Sequence, residues 1–279
     1  MTCSDRLTDM SMVSNDSKNL IISLSEWFHT PPGSYARAWE QERLAELTAD
    51  IFGYNAVQLG MPEMDTLAAN RMPNRWLTDS VISSGTEKNS QSQDDEALRQ
   101  VVLLHDYAEL PFASQSLDLV VLPHVLEFAA EPHRVLREVE RVLIPEGQVI
   151  ICGFNPVSLW GARQIFGRVT GAHFLPLHGE FISVPRLKDW LKLLNMEINR
   201  GHFGCYAPPC DTSKWLQRFG FLEKAGNRWW PYLGALYMVQ AIKRVQGMRL
   251  VGPAWQKHSA RVRSVVPATN HMNNKQTDE

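Results

Sequence analysis

The sequence predicts an α/β protein built on a doubly wound, mostly parallel sheet. Three runs rich in Val, Ile and Leu (101–105, 117–122 and 148–152) are apolar on both faces, as strands covered by helices on two sides must be. Between the second and third runs lies a helix with its own punctuation. Pro132 suits its first turn, where the missing N–H has no partner to lose. Val135, Leu136, Val139, Val142 and Leu143 then make one apolar stripe. Pro145-Glu146-Gly147 is expected to stop that helix and turn the chain into the next strand. Strand, helix and strand at this spacing form a right-handed crossover between parallel strands.

The elements follow in order. Residues 1–19 are polar and aperiodic, and are expected to be disordered. A short helix is expected over Leu20–Phe28, then a turn at Thr30-Pro31-Pro32-Gly33. A helix over Ser34–Phe52 follows, ended by Gly53. Asn55–Gly60 reads as the first strand running into a loop, and Asn74–Thr78 as a second strand ending at Asp79. An acid about 20 residues after the first glycine of a nucleotide-binding α/β unit bonds ribose hydroxyls, and Asp79 stands at that distance from Gly60. An Asp in this position equally suits a turn. Residues 80–97 are polar and without helical pattern, and read as a flexible loop.

Strand three ends in His105-Asp106-Tyr107, and strand four in Pro123-His124. Both carboxyl ends face the crevice where open α/β sheets bind ligands. His124 is the titratable group there whose ordinary pKa suits a general base near neutrality; the alternative is a packing residue. Past strand five, Ser158–Val169 has an amphipathic pattern, with Ser158 as cap and Trp160, Ile165 and Phe166 as its apolar face. A helix over Arg186–Leu194 leads to a sixth strand at Met196–Ile198, and Gly234–Ile242 reads as a seventh. Between these two strands the aromatics of Lys214–Leu222 and Trp229–Tyr232 either line an acceptor pocket or pack on the sheet. From Lys243 to Arg263 there are six Lys/Arg and no acid, a basic tail expected to be disordered over 247–279.

Composition narrows the classes. With 279 residues, 44% apolar and 21% charged, the chain can bury a substantial core. A net charge of −2 gives no global pull toward nucleic acid or anionic lipid. Cys3, Cys152, Cys205 and Cys210 form no CxxC pair, and free thiols are expected. Neither a signal peptide nor an apolar run of about 20 residues is visible, so a cytoplasmic location is expected.

Asp106-Tyr107-Ala108-Glu109-Leu110-Pro111-Phe112, the Asp118–Val121 strand, and PHRVLREVERVLIPEGQVII over Pro132–Ile151 agree in order with one family. The chain resembles a class I S-adenosylmethionine-dependent methyltransferase of the methyltransferase type 11 group. The match covers strands three to five and the helix between the last two. It implies a Rossmann-like, seven-stranded sheet whose last strand inserts antiparallel between strands five and six, within a domain spanning 20–246. It further implies S-adenosylmethionine as cofactor, with Gly60, Asp79, Asp106, Tyr107 and Leu122 around it. Asp106 and the Tyr107 backbone would meet the adenine, and Leu122 would lie under the sulfonium. His124 would face the nucleophile, and the leading helix would cover cofactor or substrate. Elements within 156–232 would shape the acceptor side, for a small molecule first and a nucleic acid or protein otherwise. No metal is implied.

One stretch departs from the pattern. Where the family places (D/E)xGxGxG, this chain has Gln58-Leu59-Gly60-Met61-Pro62-Glu63-Met64, so Gln58 replaces the acid and only the first glycine survives. Glu63 and Asp65 are candidates for the lost carboxylate. The departure keeps open a non-catalytic member of the fold acting as an interaction module. A nicotinamide-dependent dehydrogenase would need G-x-G-x-x-G after strand one, which is missing.

Overall fold

A computed structural model of the chain describes residues 24–79, 103–170, 174–175, 180–210 and 212–245. The expected disorder of 1–19, the 80–97 loop and the 247–279 tail lie outside the described residues. After a helical turn at 24–28, helix α1 covers Pro31–Ala49, and strands β1 (Asn55–Leu59), β2 (Asn74–Asp79), β3 (Leu103–Leu104) and β4 (Leu117–Pro123) follow. Short α2 (Val125–Phe128) and α3 (Pro132–Val142) lead into β5 (Leu143–Phe154). The rest is α4 (Leu159–Thr170), α5 (Val184–Leu193), β6 (Met196–Gly204), α6 (Ser213–Arg218), α7 (Phe221–Trp229), a 3₁₀ turn (Pro231–Leu233) and β7 (Leu236–Lys243).

The seven strands lie in the order β3-β2-β1-β4-β5-β7-β6. β1 through β5 pair in parallel. β7 runs antiparallel to both neighbours, from Gln148↔Ile242 to Phe154↔Leu236 on one side and from Met196↔Lys243 to Gly204↔Leu236 on the other. Alternation along the strands divides the core in two. Ala56, Leu119, Val121, Ile150 and Phe154 face α1, Trp27 and Trp160. Val57, Leu59, Val120, Leu122, Val149 and Ile151 face α3 and α5. Each such Val, Leu or Ile contributes about 1.5–3 kcal/mol by leaving water. The order of strands reverses between β1 and β4, and open α/β sheets bind ligands beyond the carboxyl ends of the strands at such a point.

Three local expectations change. The Thr30-Pro31-Pro32-Gly33 turn is the start of α1: Thr30 Oγ1 accepts the Gly33 N–H at 3.3 Å, and proline is at home in a first turn. Pro145-Glu146-Gly147 does not precede β5 but lies within it, because the pairing jumps from Leu117↔Leu143 to Leu119↔Gln148 and Glu146 takes φ 65° in the irregularity. On α4, Ser158 does cap by accepting from Gly161 N at 3.0 Å, and Trp160 is buried, yet Ile165 and Phe166 are exposed. The first two cations of the basic run belong to the fold: Lys243 pairs with Glu140 at 2.9 Å, and Arg244 with Glu197 at 3.0 Å. Among the described residues no helix is long and apolar enough to cross a membrane.

Candidate functional site

Gly60 leaves β1 on one side of the switch point. Its φ of 75° favours glycine, and a Cβ there would lie 2.8 Å from the Tyr107 hydroxyl. That hydroxyl donates to Asp79 Oδ1 at 2.8 Å. Gly60, Asp79 and Tyr107 are thus brought together from the ends of β1 and β2 and the loop after β3. Asp79 and Tyr107 are both buried. Asp106 beside them is exposed, and its Oδ1 accepts the Ala108 N–H at 3.0 Å, an Asx turn. Leu122 is fully buried in the layer that also holds Tyr107 and Val125. Neighbouring His105 sets Nδ1 against the Asp106 carbonyl at 2.8 Å.

The loop after Gly60 takes its shape from Gln58. The Gln58 Nε2 donates to the carbonyls of Gly60, Met61 and Met64 at 3.0, 2.9 and 2.8 Å. Its Oε1 accepts from the Thr66 N–H and hydroxyl at 3.0 and 2.8 Å. A carboxylate has no hydrogen to give those carbonyls, so the amide suits this loop and an acid does not. Met61, with φ 51°, and Met64 are buried against the core. Both candidate replacement acids bond within the protein: Glu63 accepts from the Ser25 hydroxyl of the leading helical turn, and Asp65 Oδ1 from the Leu67 N–H at 3.0 Å.

His124 leaves β4 opposite Gly60, in the left-handed region at φ 57°, and opens α2. Its Nδ1 meets Glu127 Oε2 at 2.8 Å and its Nε2 meets Glu40 Oε1 at 2.7 Å. Glu127 Oε1 accepts the Phe154 N–H, whereas Glu40 Oε2 is buried with no hydrogen-bond partner among the described residues. All three side chains are buried, and the His124 ring lies 4.6 Å from that of Phe154 and 5.9 Å from that of Phe28. Burial pulls the His124 pKa down, but the charges of Glu40 and Glu127 and the hydrogen bonds to them outweigh it and push it up to about 10. Burial raises the Glu127 pKa against the opposing pull of His124. At neutral pH His124 is therefore an imidazolium donating from both nitrogens. The same burial, with the Glu40 charge, lifts the Cys152 and Cys205 thiols, so neither is a ready nucleophile.

The sequence reading missed Glu40 and Glu127. Glu40 sits in the buried stripe of α1 with Ala36, Leu44 and Leu47, and a carboxylate at an apolar position of a helix was the signal available. The leading helix does lie over the sheet, held by the Glu40–His124 contact, by Trp39 packed on Gly204, and by the Tyr35 hydroxyl on Glu223. Exposed His133 rests against the Trp190 ring, 4.0 Å between centroids. Trp215, Trp229 and Trp230 are exposed, and Tyr232, also exposed, sets its ring edge-on against Phe203 of β6 with 5.5 Å between centroids. No group of three or more His, Cys, Asp or Glu able to hold a metal ion occurs among the described residues.

Comparison with known proteins fits this geometry. Residues 77–151 match the family described as a methyltransferase domain. The Escherichia coli (strain K12) protein YafS is 35% identical over 164 residues, 59% of this chain and 64% of that protein. A demethylmenaquinone methyltransferase of Listeria monocytogenes serotype 4a is 30% identical over 108 residues, 38% of this chain and 44% of the relative. The chain thus spans less than two thirds of the length of the curated relatives it matches. Among solved structures, an S-adenosylmethionine-dependent methyltransferase of Thermotoga maritima superposes with a TM-score of 0.56 at 14% identity, covering 83% of this chain and all of that one. A chain from the complex between the Haloferax volcanii Trm112 methyltransferase activator and a methyltransferase gives 0.53 at 15% identity, covering 82% and 99%. These likenesses establish the fold.

Proposed function

We propose that this chain is a class I S-adenosylmethionine-dependent methyltransferase and that it transfers a methyl group from that cofactor to a small-molecule acceptor. The observation that carries the reading is the gathering of Gly60, Asp79 and Tyr107 on one side of the switch point, with Asp106 beside them and His124 opposite. When bound, the cofactor supplies an electrophilic methyl group on a positively charged sulfur. The protein's task is then alignment and exclusion of water rather than activation of a leaving group.

In this reading Asp79 holds the ribose hydroxyls, exchanging the Tyr107 hydroxyl for them. Asp106 accepts from the adenine amino group, and the Tyr107 backbone N–H meets the ring. Gly60 leaves room for close approach, and Leu122 closes an apolar floor. Protonated His124 does not itself take a proton; it is a positioning residue that fixes Glu40. The open lone pairs of the cluster belong to Glu40 Oε2, which is the proton acceptor for an acidic O–H or N–H on the substrate. Glu40 is fully buried beside His124, whose ring packs on Phe28 and Phe154, so the acceptor must open this cluster to reach it. The relatives named for demethylmenaquinone make a demethylated naphthoquinol the first acceptor to try. The test is release of S-adenosylhomocysteine from S-adenosylmethionine over a panel of hydroxylated aromatics. Turnover lost in Glu40→Gln while cofactor affinity persists supports the assignment; equal turnover in that variant refutes it.

A specific observation favours a second reading, a non-catalytic methyltransferase-fold protein. Gln58 closes the 60–66 loop on itself, and Tyr107 already occupies Asp79. Absence of cofactor binding at millimolar concentration would select it.

A further inference from the structure

We infer that the segment from α6 to the 3₁₀ turn docks on an anionic bilayer surface. Its underside is well anchored. Leu216 is buried, and the Tyr206 ring fills the space above Gly226. Tyr206 donates its N–H to Glu223 Oε1 at 2.9 Å and its hydroxyl to the Pro231 carbonyl at 2.8 Å. Glu223, the one acid of residues 212–233, thus turns inward, where the Tyr35 hydroxyl also binds it.

The outer face has the opposite chemistry. Trp215, Phe221, Trp229, Trp230 and Tyr232 are exposed, Trp229 by 70% and Tyr232 by 73%. Among them stand four cations, Lys214, Arg218, Lys224 and Arg228, all exposed and none paired with an acid among the described residues. Single exposed apolar side chains need no explanation, but a run of large aromatics with cations and no outward acid does. Indole and phenol rings prefer the headgroup level of a bilayer, and cations beside them meet anionic lipid.

Nucleic acid would use the same charges but needs free ring faces on which bases can stack. At Trp215 the faces are already taken: it is stacked on Phe219 (centroids 5.9 Å, planes 20° apart), and the Arg218 guanidinium lies 5.7 Å from its ring centre. Aliphatic Leu233 is exposed beside Tyr232 as well, which suits an acyl boundary better than a base. Docking through this segment would set α1, which holds Glu223 through Tyr35, close to the lipid. The inference does not depend on methyl transfer.

The experiment is co-sedimentation of the full chain with phosphatidylcholine vesicles, with and without about one third phosphatidylglycerol. The protein is expected to partition onto the anionic vesicles at least about tenfold better than onto neutral ones, and less at high salt. Trp229→Ser with Trp230→Ser should weaken that binding about tenfold, and Lys224→Glu with Arg228→Glu should abolish the preference for anionic lipid. These side chains are exposed, so both variants should unfold at the wild-type temperature. Failure to bind anionic vesicles overturns the inference, as does binding that both variants retain, which would assign it to the basic run after Lys243. Retention of a uridine homopolymer without any vesicle binding overturns it in favour of RNA.

Discussion

The hydroxyl of Tyr107 donates to Asp79 Oδ1 at 2.8 Å, across the space that a side chain on residue 60 would fill. Asp79, the acid proposed to hold a ribose, is thereby bonded to the protein, and a ligand there must replace that bond with its own. Tyr107→Phe removes the competing donor and keeps the ring. Cofactor affinity measured by titration calorimetry should rise by up to about tenfold, the value of one hydrogen bond to a charged acceptor. Weaker binding would make the tyrosine hydroxyl a ligand rather than a competitor.

Gln58→Glu restores the acid expected after strand one, yet it should harm this protein. Its carboxylate would face the carbonyl oxygens of Gly60, Met61 and Met64 with no hydrogen to donate. A loss of about 2–4 kcal/mol in chemical denaturation is expected, from three orphaned acceptors beside a buried charge. Wild-type stability would mean that the loop can turn its N–H groups inward, as a glycine-rich loop does.

The His124 cluster gives the fold an alkaline limit. Its folded pKa, about 10, lies above the ordinary 6.5, so the folded chain holds this proton more tightly than the unfolded one. The stabilisation is complete below pH 6.5 and is lost as pH rises through about 10. Thermal unfolding should therefore move to lower temperature across that window. In Glu40→Gln, which removes the largest favourable charge on His124, the decline should begin at lower pH. A profile flat to pH 10 would contradict the paired imidazolium.

His124→Ala should cost about 3–5 kcal/mol, because it leaves Glu40 and Glu127 buried side by side without their shared cation. His124→Gln retains donors for both carboxylates and should recover part of the loss. Equal destabilisation by the two variants would point to lost volume rather than lost pairing.

The parts of this fold that burial alone dictates were legible in the sequence. Val120, Val121, Ile150 and Ile151 read as doubly covered strands, and Val135, Leu136 and Val139 as a helix face, because their apolar patterns leave few other places to go. Gly60, Asp79 and Tyr107 could be placed near one another because strand ends converge at a switch point. Polar pairing was harder to read. Nothing local distinguishes Gln58 from a solvated amide until five hydrogen bonds close around it, and Glu40 meets a histidine 84 residues away. Thr30-Pro31-Pro32 was ambiguous because the residues that make turns also start helices. Ile165 and Phe166 were assigned inward on hydrophobicity alone, which does not say whether a surface is covered.

The most direct test of the account is titration calorimetry of the purified chain with S-adenosylmethionine and with S-adenosylhomocysteine. Asp106 is exposed and among the described residues its side chain makes one local bond, to the Ala108 N–H, so Asp106→Ala should fold as the wild type does. The account predicts micromolar binding of both ligands by the wild type, weakened at least about tenfold in Asp106→Ala through loss of a charged hydrogen-bond acceptor. Absence of binding at millimolar ligand, or equal affinity in the variant, would contradict it.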